Sequence, residues 1–454
     1  MDSQDLLTII LAAGKGTRMK SNLIKVLHPV AGKPMIEHIV DAASGIEKEM
    51  EIVCVIGHQG SKVKANLGNK YKYVEQNRQL GTGHAVMQAK NILNEYNGPV
   101  LILCGDTPLL RKKTLARFVD FHSKKNADLS VLTAMVENPS GYGRIVRNAE
   151  GTEIQKIIEE TDASSEEKKI NEINSGVYCF ESRMLLEALD SLSCDNAQGE
   201  YYLTDAVRFL AKHNKKIIPM VVEDSSYIKG VNTRVDLAEA ESKIRRRINR
   251  DLMLKGVSII DPGSTYIDCD VKIGKDTSVF PFTYIEKGSE IGSGCKIAPY
   301  CRVINSRIGN DVELKSGSII RESNIDSDCQ IGPYAYIRPG CKIGKNVKIG
   351  DFVELKKARI KSGAKVPHLS YVGDAQIGKK TNIGAGTIFA NYDGVNKHRT
   401  IVGDSAFIGS NTTLVAPLEI GDRAKTGAGS VVTRNVLRDT TVLGVPARVY
   451  KKKN

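Results

Sequence analysis

The chain has 454 residues, with 65 Lys plus Arg against 52 Asp plus Glu, and a formal net charge of +13. That length exceeds one ordinary core and implies two or three domains, or one compact domain plus a repeat array. The composition, 41% hydrophobic and 26% charged, excludes a disordered chain, and no run of about 18 apolar residues is present to span a membrane.

The chain opens MDSQDLLTIILAAGKG. An acidic start and a short apolar stretch running into a glycine loop do not make a signal peptide. The nine cysteines form no CxxC pair and no zinc-spaced cluster, so reduced thiols and a cytoplasmic location are expected. The positive charge suits nucleic acid, anionic lipid or small phosphorylated ligands. Trp is absent and aromatics are 6%, and no aromatic-rich basic motif of an RNA-binding sheet occurs. Basic residues concentrate at Lys243 to Arg250 and at Lys451, Lys452 and Lys453.

In chain order, the first half alternates strand-like runs (Leu7–Ala12, Ile52–Ile56, Val100–Cys104, Val131–Ala134) with helical stretches such as Met35–Ala43 and Gly83–Leu93. This pattern predicts a Rossmann-like, mainly parallel sheet with helices on both faces over residues 1–231, with ligands beyond the carboxyl ends of the strands. Leu237, Ile244, Ile248 and Leu252 then mark one face of an amphipathic helix joining the halves over 232–252. The basic run from Lys243 is expected on its exposed side.

From 253 to 454 the apolar period becomes six. Ile267, Ile273, Val279, Ile285, Ile291, Ile297 and Val303 follow without interruption. After one-residue slips come Ile308 and Leu314, then Ile325 to Leu355. Ile377, Ile383, Val402, Ile408, Leu414 and Ile420 finish the series. Neither an α-helix nor a flat sheet has this period. A left-handed parallel β-helix does, with three short strands per coil and one inward aliphatic residue on each. About ten coils would stack to roughly 45–50 Å. Cys295, Cys301, Cys329 and Cys341 fall inside the repeats and read as packing or corner residues. Two segments are expected to loop out as insertions, 358–372 and 390–399, where a solenoid carries its binding residues.

Leu11-Ala12-Ala13-Gly14-Lys15-Gly16-Thr17-Arg18 follows the first strand. Such a glycine turn is either structural or a cradle for phosphates, with Arg18 and Lys25 as cations. It is neither a P-loop nor a dinucleotide fingerprint. Asp106, at a later strand end, is either a cap or a Mg²⁺ ligand. His368, in Lys365-Val366-Pro367-His368-Leu369-Ser370-Tyr371, is either a solvated residue or a general base, since imidazole titrates near neutrality.

The ordered segments LAAGKGTRM, KVL, CGDTPLL, GYGRI, EINSG, QGEYYLTD and GVNTR resemble sugar-nucleotide uridyltransferases. Together with the repeat array, H-L-x-Y at His368, NIGAGT at Asn382–Thr387 and Asn391-Tyr392-Asp393-Gly394, the chain resembles the bacterial bifunctional N-acetylglucosamine-1-phosphate uridyltransferase/glucosamine-1-phosphate N-acetyltransferase family. The resemblance implies that acetyl-CoA acetylates glucosamine-1-phosphate, and that UTP with Mg²⁺ then converts GlcNAc-1-phosphate to UDP-GlcNAc and pyrophosphate. Leu11, Ala12, Ala13, Gly14 and Lys25 then face the nucleotide, and Gln76, Gly81 and Thr82 read uracil. Gly143, Glu159 and Asn174 meet the sugar, and Asp106 and Asn232 hold Mg²⁺. His368 is the implied base, with Arg338, Lys356, Tyr371, Asn382, Asn391 and Tyr392 at the acceptor sugar and Ala385, Ser410 and Ala428 along acetyl-CoA. The family's coenzyme A arginine aligns near Gly444, with Arg448 four residues on. A homotrimer is implied, and neither nucleic acid nor membrane is expected as a partner. The alternative is a single-activity sugar-1-phosphate nucleotidyltransferase with a structural β-helix, which has no use for His368, Tyr371 and Asn391. A third is a non-enzymatic scaffold, which does not need the nucleotide residues.

Overall fold

The computed structural model describes residues 6–46 and 50–450. The acidic start of the chain and Lys451 to Lys453 lie outside the described residues. The chain divides into two compact units, Met1–Lys243 and Ile244–Asn454. No described helix is long and apolar enough to cross a membrane.

The first unit is built on a nine-stranded sheet. Its strands are β1 Leu6–Leu11, β2 Met50–Ile56, β3 Lys72–Glu75, β4 Pro99–Cys104, β5 Leu129–Met135, β6 Arg144–Arg147, β7 Ile154–Ile158, β8 Glu172–Glu181 and β9 Ile217–Val221. The order is β9-β5-β8-β4-β1-β2-β3, and β6 pairs with both β8 and β7. Neighbours on the main path are parallel except where β8 lies between β4 and β5, antiparallel to both. The sheet is therefore mixed, with the expected parallel core. Alternate residues of one strand enter opposite cores, as the period of two requires. Leu6 and Ile10 pack with helices α1 (Met35–Ala43) and α5 (Lys112–Lys125). Leu7 and Ile9 pack with α3 (Thr82–Met87), α6 (Ser182–Ser191) and α7 (Asp205–Lys212); α2 (Gly60–Leu67) lies between α1 and α3 in the chain.

The stretch expected as one helix, Gly83–Leu93, is broken into α3 and α4 (Lys90–Asn94). The Gln88 side chain donates to the His84 carbonyl at 2.9 Å, and the Gln88 backbone N–H turns to Ala85 O instead. A side chain thus takes the acceptor that would have continued the helix. The last helix, α8, runs Arg234–Leu254. Its basic residues are not all on an exposed side, as had been expected. Arg246 and Arg250 are exposed, whereas Arg245 lies 3.9 Å from the centroid of the Tyr266 ring. Buried Asn249 donates to Pro262 O and Thr265 O at 2.9 and 3.0 Å.

The second unit is a three-sided parallel β-helix, with sheets of 12, 10 and 9 short strands. Up to the last turn each strand pairs with the strand three places on, one coil later, and the six-period aliphatics pair with one another, as in Ile331↔Ile349 and Ile337↔Leu355; the final strands Thr441–Leu443 and Arg448–Val449 close the stack with an antiparallel pair. They form one continuous buried core. Segment 358–372 does not loop out. Ile360, Val366 and Val372 are buried in the core, and strands Lys365–His368 and Tyr371–Gly373 keep the coil intact. A single residue lost between Leu355 and Ile360 resets the period, which hid it from a strict count of six. Segment 390–399 does leave the coil, closed by the Tyr392↔Lys397 bridge.

None of the nine cysteines is in a disulfide. Cys295 and Cys329 stand two residues before a core aliphatic, the position that Thr277 and Thr381 hold in other coils. Their thiols donate to Gly309 O and Gly344 O at 3.1 Å, as Thr277 and Thr381 hydroxyls do to Gly292 O and Gly403 O at 2.8 and 2.6 Å. Burial pushes the Cys329 thiol up to about 11, so it stays protonated as a donor. Ile331→Ala, which leaves a core cavity, is expected to cost about 3 kcal/mol, and Cys329→Ser, which keeps a donor, under about 1 kcal/mol. Chemical denaturation of the two variants checks this; equal losses would contradict it.

Candidate active sites

The carboxyl ends of β1 and β4 open onto a cavity of about 530 Å³. Leu11, Ala12, Ala13, Gly14, Lys25, Gln76, Gly81, Thr82 and Asp106 all line it. Gly16 sits in the left-handed region at φ 63°, and a Cβ there would strike the Lys25 side chain. Only glycine lets the turn close over Lys25.

Lys25 Nζ donates to Asp106 Oδ2 and, at 3.1 Å, to Asn232 Oδ1. Arg18 Nη2 donates to the same Asn232 oxygen at 2.9 Å. The turn, the β4 end and the GVNTR segment, far apart in sequence, therefore meet at one point. Asn232 is held there by the start of α8. Asp236 Oδ2 accepts from the Asn232, Thr233 N–H groups at 3.0 and 2.9 Å, and Thr233 Oγ1 accepts from Asp236 N at 3.2 Å. This is a reciprocal cap on a helix N-terminus. Asp106 Oδ2 and Asn232 Oδ1 are hard oxygen donors converging on one cation. That donor set fits Mg²⁺, which takes few protein ligands and completes its shell with phosphate and water.

Gly143, Glu159 and Asn174 form a second group. Asn174 N donates to Gly143 O at 2.9 Å, and a Cβ on Gly143 would lie 3.5 Å from Asn174 Cβ and from Glu159 Oε2. A register shift in β8 between Asn174 and Tyr178 turns Asn174, whose amide donates to Tyr178 OH at 2.7 Å. Burial raises the Glu159 carboxyl above its ordinary range, opposed by the hydrogen bond from Thr204. Cys104 links the two groups: it lines the cavity, and burial raises its thiol to about 12, with the charges of Asp106 and Glu159 adding to the rise. The sequence reading passed over Cys104, Lys15, Thr17, Gln79 and Glu200, which also line the cavity; Lys15 and Thr17 lay within the quoted turn.

In the second unit, His368 ends strand Lys365–His368 and pairs in register with Asp351 of the coil before. His368 Nδ1 is hydrogen-bonded to Asp351 Oδ1. That bond holds the Asp351 carboxyl below its ordinary range. An ionised carboxylate accepts only, so Nδ1 carries the proton and Nε2 presents its lone pair. Asp351 was not anticipated.

The same coil position repeats downstream. Gly386 N donates to His368 O, Asn411 N to Ala385 O and Gly429 N to Ser410 O, at 3.2, 2.7 and 2.8 Å. His368, Ala385, Ser410 and Ala428 therefore stand in one column, with the imidazole followed by small side chains. Asn382 lies on the adjoining strand Asn382–Ile383, in register with Lys365.

On the next face, Arg338 Nη1 donates to Glu354 Oε1 at 2.7 Å, which raises the guanidinium further. Glu354 pairs with Tyr371, and Lys356 with Gly373. The Tyr371 hydroxyl and Asn391 Nδ2 both lie over Gly373, where any Cβ would collide with them. Asn391 donates to Asp374 Oδ2 at 2.6 Å. Lys397, from the 390–399 insertion, lies beside Lys356, which lowers its ammonium below the ordinary range. Two such cations side by side suit an anion between them. Sequence reading missed Lys397 and Asp374. Tyr392 OH bonds to Gly394 O within the insertion, at 2.5 Å, and does not join Tyr371. Arg448 is exposed on the last strand pair, opposite Leu443.

The fold and both groups of side chains define a two-site transferase: a nucleotidyltransferase unit followed by a hexapeptide acyltransferase unit. Residues 7–243 match the Nucleotidyl transferase family, residues 270–305 and 399–434 the bacterial transferase hexapeptide (six repeats) family, and residues 319–416 the GMPPB C-terminal domain. The chain is 50% identical over 433 residues to the bifunctional protein GlmU of Acetivibrio thermocellus, covering 95% of this chain and 93% of that one. It is 50% identical over 435 residues to that of Syntrophomonas wolfei (95% of each) and 47% over 431 residues to that of Listeria monocytogenes (95% and 94%). The chain belongs to the GlmU family.

Asp351→Asn is expected to lower acetyl transfer between about ten- and a hundredfold, because the amide no longer fixes the imidazole tautomer. Uridylyl transfer measured on the same preparation should stay within about twofold. An acetyl-transfer rate equal to the unaltered chain would contradict the assignment.

Proposed function

We propose that the two sites divide the work of this chain as follows. As a GlmU family member it is a bifunctional uridyltransferase and acetyltransferase that makes UDP-GlcNAc. The observation that carries the residue assignment is the coexistence of the Lys25–Asp106–Asn232 cluster on the first cavity with the Asp351–His368 pair heading a column of small residues.

At the β-helix site, Arg338, Lys356, Tyr371 and Lys397 bind the phosphate and ring of glucosamine-1-phosphate, with Asn382, Asn391 and Tyr392 bordering it. His368 Nε2 takes a proton from the 2-amino group, and the free amine attacks the thioester carbonyl of acetyl-CoA. The C–N bond forms as the C–S bond breaks, the attacking nitrogen gives up its second proton, and the departing thiolate of coenzyme A takes up a proton to leave as the thiol. Ala385, Ser410 and Ala428 present little bulk, which suits a coenzyme A chain lying along the column.

At the first site, a phosphate oxygen of GlcNAc-1-phosphate attacks the α-phosphorus of UTP, and pyrophosphate leaves on the opposite side. The nucleophile is already an anion, so no strong base is needed, and positioning with charge neutralisation does the catalysis. Leu11 to Gly14 line the nucleotide, Arg18 and Lys25 neutralise phosphates, and Gln76, Gly81 and Thr82 meet uracil. Gly143, Glu159 and Asn174 meet the sugar. Asp106 and Asn232 would hold Mg²⁺, which when bound offsets the charge building on the phosphates.

The free thiols support a cytoplasmic location. Three flat faces on the β-helix support assembly as a homotrimer, in which cyclic closure can bring surfaces of different copies together.

Assay of both half-reactions in the unaltered chain, Asp106→Ala and His368→Ala tests the division. Each substitution is expected to lower only its own reaction, by about a hundredfold or more. Loss of both reactions in either variant would contradict it.

A further inference from the structure

We infer that His84 is a positioning residue that sets which end of the Gln76 amide meets the base, and so selects uracil over cytosine. This rests on the reading of Gln76 as a base-facing residue.

Gln76 is only 3% exposed, yet it lines the nucleotide cavity. Its Nε2 lies 3.1 Å from Gly81 O and 3.0 Å from His84 Nδ1. A backbone carbonyl only accepts, so the atom beside Gly81 O is the NH₂ end of the amide. A flipped amide would set two acceptors against each other. The two amide hydrogens go to Gly81 O and to His84 Nδ1, which therefore offers a lone pair; the other ring nitrogen, Nε2, lies 3.3 Å from the Gln88 amide nitrogen. Both donors being engaged, Oε1 is the end of Gln76 left for a ligand.

An acceptor at that point complements the N3–H of uracil. Cytosine has a lone pair at N3 and would leave two acceptors opposed in a dry pocket, the kind of mismatch that discriminates strongly. His84 is itself held in place. It sits in α3, the Gln88 amide donates to its carbonyl at 2.9 Å, and its ring lies 6.2 Å from that of Tyr201. The Gly81 carbonyl alone would engage one amide hydrogen. His84 supplies the second acceptor and so removes the amide's freedom to offer a donor to the base.

The test compares kcat/KM for UTP and CTP in the full chain, with Mg²⁺, for the unaltered enzyme, His84→Asn, His84→Gln and Gln76→Leu. The Asn side-chain oxygen can occupy the place of imidazole Nδ1, whereas the longer Gln amide reaches the place of Nε2. Gln is expected to lower the UTP/CTP ratio about tenfold, mainly through KM, and Asn to hold it within about threefold. Equal ratios in Asn and Gln, at any level, would overturn the role of His84. If Gln76→Leu leaves the ratio unchanged, the underlying reading of Gln76 fails instead. Thermal unfolding of each variant identifies any that does not fold, and the comparison of two polar replacements survives the loss of Gln76→Leu.

Discussion

Parallel strand pairing is the constraint on which both sites depend. A parallel ladder brings equivalent residues of successive strands side by side and delivers all strand ends to the same edge. In the β-helix this turns a separation of 17 residues into direct contact between Asp351 and His368. The same register carries the column on through Ala385, Ser410 and Ala428. In the first unit, the parallel pairing of β1 with β4 puts the glycine turn and Asp106 at one rim.

Charge is organised by the same geometry. Lys25 and Arg18 converge on the oxygens of Asp106 and Asn232, and Lys356 faces Lys397. Each cluster suits phosphate, in one case through a cation and carboxylate pair, in the other through two cations left facing each other. Part of the positive charge thus gathers at these two clusters, and part lies along α8, where Arg245 covers an aromatic ring.

Much of this was legible in the chain because a repeat of one aliphatic per strand has no other physical origin, and because a glycine turn after a strand reads as a turn in any context. What stayed hidden has identifiable causes. Residues 172–181 were not among the strand-like runs, and periodicity carries no direction, so the antiparallel β8 was not foreseen. A one-residue slip before Ile360 made Val366 and Val372 look like a loop. The break after α3 depends on where the Gln88 side chain bonds. Asp351 and Asp374 become neighbours of His368 and Asn391 only once coils are stacked, and nothing in their local sequence distinguishes them from solvated charges; Lys397 lies in a segment expected to carry binding residues but has no motif of its own.

The central claim, that one chain carries two complete and separate active sites, is tested most directly by ³¹P NMR of the unaltered chain. The chain would be given glucosamine-1-phosphate, acetyl-CoA, UTP and Mg²⁺, with omission of each in turn. The account predicts UDP-GlcNAc and pyrophosphate only in the full mixture, and that replacing the first two with GlcNAc-1-phosphate restores product without acetyl-CoA. Product from GlcNAc-1-phosphate alone, with none from glucosamine-1-phosphate and acetyl-CoA, would contradict it.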